Sequence, residues 1–242
     1  EIDEKAIKIT QHNYPNTKQI GSVVNVKGVD LPKIDLLFGG SPCQSFSNAG
    51  KGEGFKGESG LFWEFLRVLK EVNPKYFMLE NVKMKKEWQD IISEALGVQP
   101  ILINSSLVSA QNRERLYWTN IPNVNLPQNK GIKLQDVINN EYKFKPLTKW
   151  FFSKWGEKQK IDTLRTIFAE KSFCLTTNKS HSKNYYLSKD RSMARMLERD
   201  EVEMLQTVPS GYTNCVSKTA AHHALGNGWT IDVIAHIFRN II

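Results

Sequence analysis

Residues 34–82, IDLLFGGSPCQSFSNAGKGEGFKGESGLFWEFLRVLKEVNPKYFMLENV, decide the fold. IDLLFGG (34–40) is a short apolar run closed by two glycines, the pattern of a buried strand ending in a loop, and KYFMLENV (75–82) reads the same way. Between them, SGLFWEFLRVLKEVNP (59–74) sets Leu61, Phe65, Leu66 and Leu69 at helical spacing, with Ser59 as cap and Pro74 past the end. Strand, loop, helix and strand make a βαβ unit. Working outward, WQDIISEALG predicts a second helix, and PILINSSLV and RLYWTNI two more strands. The expected fold is α/β: a doubly wound, mostly parallel, Rossmann-like sheet, which binds ligands beyond the carboxyl ends of its strands. Cys43 and Glu80 both fall there.

From about Asn123 the alternation decays into lysine, asparagine and aromatic residues, then resumes as helices at RDEVEMLQTV (199–208) and TIDVIAHIFRNI (230–241). The expected division is a core of 1–122 with 191–242 and a small inserted domain, 123–190. Charge follows the division. Residues 123–190 hold 13 Lys/Arg against 6 Asp/Glu, nearly all of the net +8, while the flanking parts are close to balance. Basic residues interleaved with Tyr142, Phe144, Trp150, Phe151, Phe152 and Trp155 suit phosphates and bases, although a solvated lysine-rich surface has the same composition. No apolar run approaches the length of a membrane span, and EIDEKAIKIT has no signal-peptide character, so an intracellular protein is expected. Three cysteines without CxxC spacing point to neither a disulfide framework nor a zinc site.

Cys43, in GGSPCQSFS, follows a strand, is stiffened by Pro42 and precedes a glycine-rich stretch; it is a candidate nucleophile, with inert packing as the alternative. Glu80 ends the next strand, where burial favours a protonated carboxyl able to donate; a helix-capping acid is its plainer reading. Arg113 and Arg115 alternate in QNRER and on a strand face one side, suited to a phosphate or a base carbonyl. GEGFKG (52–57) matches GxGxxG but stands too far from the preceding strand to be a dinucleotide fingerprint.

GGSPCQSFS, ENV, QNRER and ALGNGWTIDVI, in this order, resemble the ordered motifs of the DNA (cytosine-5) methyltransferase family over essentially the whole chain. GLFWEFLRVLKEVNP and GNGWTIDVIAHIF are most similar to the mammalian de novo enzymes, and the glutamine after Cys43 to the bacterial and phage ones. The resemblance implies transfer of a methyl group from S-adenosyl-L-methionine to carbon 5 of cytosine in double-stranded DNA, on a base flipped out of the duplex. It makes Cys43 the nucleophile and Glu80 the contact to ring nitrogen 3 and the exocyclic amine, and gives Arg113 and Arg115 the base carbonyl and adjacent phosphate. It puts Asn81 and Pro42 in the frame of the site, and Gln44, Ser47, Asn81 and Gln111 on the DNA side. Glu1, Ile2, Ser22, Val23, Pro42, Leu61, Asn227 and Trp229 fall to the cofactor, and 123–190 to target recognition. Ser22 stands where the family has an aspartate, Ala110 where it has a proline, and Asp200 where it has the arginine of an Arg-Glu pair, leaving Glu201 matched. The family's FxGxG motif is not found, so a further N-terminal segment or a partner subunit carrying it is expected, with poor methylation by these residues alone. A non-catalytic DNA-binding relative and a tRNA cytosine-5 methyltransferase of the same fold are the alternatives.

Overall fold

The computed structural model describes residues 1–42, 60–147, 164–177 and 185–241. Helix α1 (Glu4–Asn13) is capped by Asp3, whose carboxylate accepts from the Lys5 and Ala6 amides. Then follow β1 (Leu36–Gly40), α2 (Leu61–Val72), β2 (Tyr76–Val82), α3 (Lys86–Leu96), β3 (Ile101–Asn104) and β4 (Glu114–Thr119). A small part holds β5 (Lys145–Pro146), β6 (Tyr185–Leu187) and β7 (Met193–Met196), and α4 (Arg199–Leu205), α5 (Lys218–Asn227) and α6 (Ile231–Phe238) complete the described chain. No helix among the described residues is long and apolar enough to cross a membrane.

The expected strands and the βαβ unit are present, and α2 stops where Asn73 turns left-handed (φ 41°), with its amide on the Leu69 carbonyl and Pro74 behind it. The buried stripe of α2 is Phe62, Phe65, Leu66 and Val68, so Leu61, expected on that face, is only partly covered. The main sheet runs β1-β2-β4-β3. As expected, most of its described strands point one way: β1 and β2 pair in parallel and β3 has the same direction, while β4 runs antiparallel to its neighbours β2 and β3. The cause is connection length. Nine residues, 105–113, join β3 to β4, fewer than a parallel crossover needs, whereas α3 returns β3 to the direction of β2.

Period-two alternation places the core on both faces. Tyr76, Met78, Ile103 and Tyr117 pack against Val233, Ile234 and Ile237 of α6. Leu79, Leu116 and Trp118 pack against Phe62, Phe65 and Ile92 of α2 and α3. Gly39 permits this second contact, since a side chain there would meet the Phe65 ring at 3.2 Å. The small sheet, β5-β7-β6, includes Met193–Met196 and so runs past the expected boundary at 190. Its neighbours share one apolar cluster with the core: Leu134, Ile167, Leu175 and Tyr186 pack with Ala110, Leu205 and Leu225.

Candidate active site

The carboxyl ends of β1 and β2 lie side by side, with Gly40 opposite Glu80. Glu80 is 8% exposed and faces Tyr117 of β4, which puts Arg115, two residues away, on the same face of the sheet. The Arg115 Nε lies 2.9 Å from Glu80 Oε1. On the other oxygen, the Trp229 indole N–H donates to Glu80 Oε2 at 3.1 Å. Trp229 precedes α6 and rests on Phe38 of β1, with ring centroids 5.6 Å apart. Each Glu80 oxygen thus accepts from a donor on a different element.

Asn81, beside Glu80, is 1% exposed, and its Nδ2 donates to Ser41 Oγ at 2.8 Å and Ser41 O at 3.3 Å. It clamps the turn that leads through Pro42 toward Cys43. Burial of this order takes Asn81 away from a direct DNA contact. Cys43, Gln44 and Ser47 lie outside the described residues.

Arg113 and Arg115 do face one side, as their spacing predicts: their guanidinium nitrogens lie 3.4 Å and 3.9 Å from Cys174 Sγ. Their surroundings differ. Arg113 is 3% exposed and donates to the carbonyls of Gly228 at 2.8 Å and Gly226 at 3.3 Å. Burial, and then the charge of Arg115, lower its pKa. Arg113, just before β4, is therefore a buried brace on the α5–α6 turn, closed to the base or phosphate expected of it, whereas Arg115 reaches Glu80. Gln111 is likewise a brace. Fully buried, it donates to Leu205 O and Gln206 Oε1 and accepts from the Leu175 amide, so the expected place on the DNA side is closed to its side chain.

The residues expected at the cofactor divide into two groups. Glu1 accepts from the amides of Ile2 and Asp3 at 2.7 Å and 2.8 Å, and its backbone nitrogen donates to Gly21 O, which brings it beside Ser22. The carbonyl of Val23 accepts from Arg67 of α2, the helix that Leu61 begins. Ile2 is 73% exposed, an apolar face beside a carboxylate. Asn227 ends α5, and Trp229, two residues on, belongs to the Glu80 cluster.

Sequence reasoning gave no role to Cys174, which the fold sets against both arginines, or to Gln206. The Gln206 amide bonds Leu225 O, Gly228 O, Gln111 and Thr230, and Thr230 in turn bonds Ser105. No local pattern announces either residue, because their partners are remote in the chain.

Solved structures share the fold. The Dnmt2 methyltransferase of S. pombe superposes with a TM-score of 0.75 at 16% identity, over 98% of this chain and 88% of that one. A DNMT2 variant of Spodoptera frugiperda gives 0.72 at 18%, over 99% and 90%. Among curated proteins, the orphan methyltransferase M.SPRI of Bacillus phage SPR is 31% identical over 236 residues, covering 87% of this chain and 53% of that protein. The type II methyltransferase M1.ScrFI of Lactococcus lactis subsp. cremoris is 29% identical over 284 residues, covering 100% and 70%. The chain therefore spans about half the length of the phage relative. The model of the C-5 cytosine-specific DNA methylases matches residues 1–194, and with that match the chain belongs to this family.

Proposed function

We propose that this chain carries the catalytic half-site of a DNA cytosine-5 methyltransferase that uses S-adenosyl-L-methionine. The observation that carries the reading is the acceptor-ready Glu80 carboxylate, held between Arg115 and Trp229 at the carboxyl end of the sheet, one strand from the segment that enters Cys43. Cys43 as thiolate adds to carbon 6 of the flipped cytosine, and the ring electrons move toward carbon 5. Glu80 accepts from the exocyclic amine and, carrying a proton, donates to nitrogen 3, where charge develops. Arg115 screens that charge. After methyl transfer a base takes the carbon 5 proton, the electron pair returns, and Cys43 departs.

The cofactor supplies an electrophilic methyl group. An exposed apolar Ile2 next to the Glu1 carboxylate suits an adenine face with ribose hydroxyls beside it, so the donor set fits. The excess charge of 123–190 supports target recognition there, as does Phe168, 51% exposed with the Lys189 ammonium 5.9 Å from its ring.

Among the described residues β1 is an edge strand, and Phe38 on it is 47% exposed. An edge of this kind is a template for a further strand. We propose that the active protein adds one here, from the same chain or a partner, bringing the glycine motif with it.

The test is transfer of labelled methyl from S-adenosylmethionine to duplex DNA and to tRNA by the full-length protein beside Cys43→Ser. Methylation of DNA that is lost in the variant, with a covalent adduct on 5-fluorocytosine DNA, supports the reading. Label confined to tRNA, or none anywhere, overturns it.

A further inference from the structure

From the hydrogen bond between Trp229 and Glu80 we infer that Trp229 is a positioning residue for base activation: its indole N–H fixes the rotamer of the Glu80 carboxylate that receives the cytosine. The inference rests on the proposed cytosine chemistry and adds to it a residue that the family resemblance places with the cofactor.

Three observations converge. First, Glu80 has two carboxylate oxygens and two donors, Arg115 Nε on Oε1 at 2.9 Å and Trp229 Nε1 on Oε2 at 3.1 Å. Arg115 by itself leaves the second oxygen free to swing about the carboxylate axis; a donor on each oxygen fixes the plane. Second, the backbone makes room for this contact and nothing more. A side chain at Gly40 would meet Glu80 Oε2 at 3.1 Å and Trp229 Nε1 at 3.3 Å, so any substitution there presses on the two bonded atoms. Third, the indole is itself fixed. Its ring stands against Phe38, which also packs edge-on to Phe238 at 5.4 Å, and its backbone neighbour Gly228 is tied to Arg113 at 2.8 Å. A donor so held loses little freedom when Glu80 moves onto substrate, the condition under which a hydrogen bond orients rather than merely fills space. Trp229 touches neither the reacting carbon nor the thiol in this account. Its effect passes through Glu80.

Trp229→Phe keeps the ring against Phe38 and deletes only the donor. In the full-length protein we expect kcat on cytosine DNA to fall by roughly ten- to a hundredfold, the value of a hydrogen bond to a charged group, with KM for S-adenosylmethionine unchanged. In an E80Q background the same substitution is expected to add less than about twofold, since residues acting as one unit are not additive. A KM for the cofactor that rises while kcat holds, or full additivity with E80Q, overturns the positioning role in favour of cofactor packing.

The bond itself is read without activity, from the Trp229 indole N–H resonance in a 1H–15N spectrum of the full-length protein. We expect E80Q and G40A both to shift it; a resonance indifferent to both overturns the inference at its base. If E80Q shifts the resonance and wild type methylates no nucleic acid, the cytosine reading has failed and the positioning role falls with it, leaving a structural contact. That outcome is distinguishable from a wild type that methylates DNA and a W229F that does so equally well, which overturns the role while the cytosine reading stands.

Discussion

The mouth of the main sheet and the seam between that sheet and the small one both hold polar groups out of water, and they satisfy them to different degrees. At the seam, Glu201 is fully buried and accepts from both terminal nitrogens of Arg195, at 2.7 Å and 2.6 Å, and from the amides of Asn139 and Glu198. The Arg195 guanidinium also lies over the rings of Tyr142 and Phe144, 5.7 Å and 5.3 Å from their centroids. Glu203 accepts from Gly211 and Thr213, and Gln111 from Leu175. At the mouth, Glu80 has two donors and keeps a tenth of its side chain exposed. Four donors on one buried carboxylate fix one geometry, even though the Arg195 Nε beside it makes no hydrogen bond. A pair of bonds at an open edge sets an orientation that substrate can take over, which is why the seam reads as framework and the mouth as site.

Four measurements sharpen or break that contrast. Largest is Arg195→Met, which strands a buried carboxylate and is expected to cost about 3–5 kcal/mol of stability in urea unfolding. A loss under about 1 kcal/mol would show the seam to be no more demanding than a surface pair. Next, Glu80→Gln is expected to lower kcat at least about a hundredfold, with a smaller loss of unfolding free energy than R195M because its ion pair keeps more solvent than Arg195–Glu201. Destabilisation as large as that of R195M would erase the distinction between the two regions. Third, Gln111→Leu removes partners of Leu175, Leu205 and Gln206 and is expected to cost about 2 kcal/mol, with methyl transfer retained in whatever fraction folds. An intact fold with weakened DNA binding would return Gln111 to the DNA side.

The smallest effect is an alkaline one. Burial pushes the Tyr186 phenol up to about 12 from 10.0. Above pH 10 the unfolded chain ionises its tyrosine while the folded chain holds the proton, so the folded state binds more protons and stability falls as pH rises toward 12. Between pH 9 and 11 this group accounts for about 1 kcal/mol, and Tyr186→Phe is expected to flatten the slope of stability against pH by that amount. An unchanged slope would mean that the phenol meets solvent. At the acid end the sign is opposite. Hydrogen bonds from Ser188 and Ser192 hold Asp190 down to about 2, a contribution present above the ordinary carboxylate range and lost as pH falls through that value.

The strands, the βαβ unit and the alternation of Arg113 with Arg115 were legible because each is a local pattern: period two, period 3.6, or a turn signal. The α5 helix was missed, since KTAAHHALGN mixes alanines with polar residues and shows no clear apolar stripe; its boundaries depend on the Ser217 cap and on packing against the small sheet. The reversed direction of β4 was missed because an apolar run has no direction written in it.

By itself the sequence determined the α/β class, the basic middle segment and the family, all of which follow from residue types at fixed short spacing. Tertiary structure alone decided that Arg113 is buried on the α5–α6 turn while Arg115 meets Glu80, and where the boundary of the small sheet falls. It also gave Trp229, 149 positions from Glu80, its hydrogen bond to that carboxylate. These depend on the packing of remote segments, where a few tenths of an ångström separate a bond from a gap, and no local spacing carries that information.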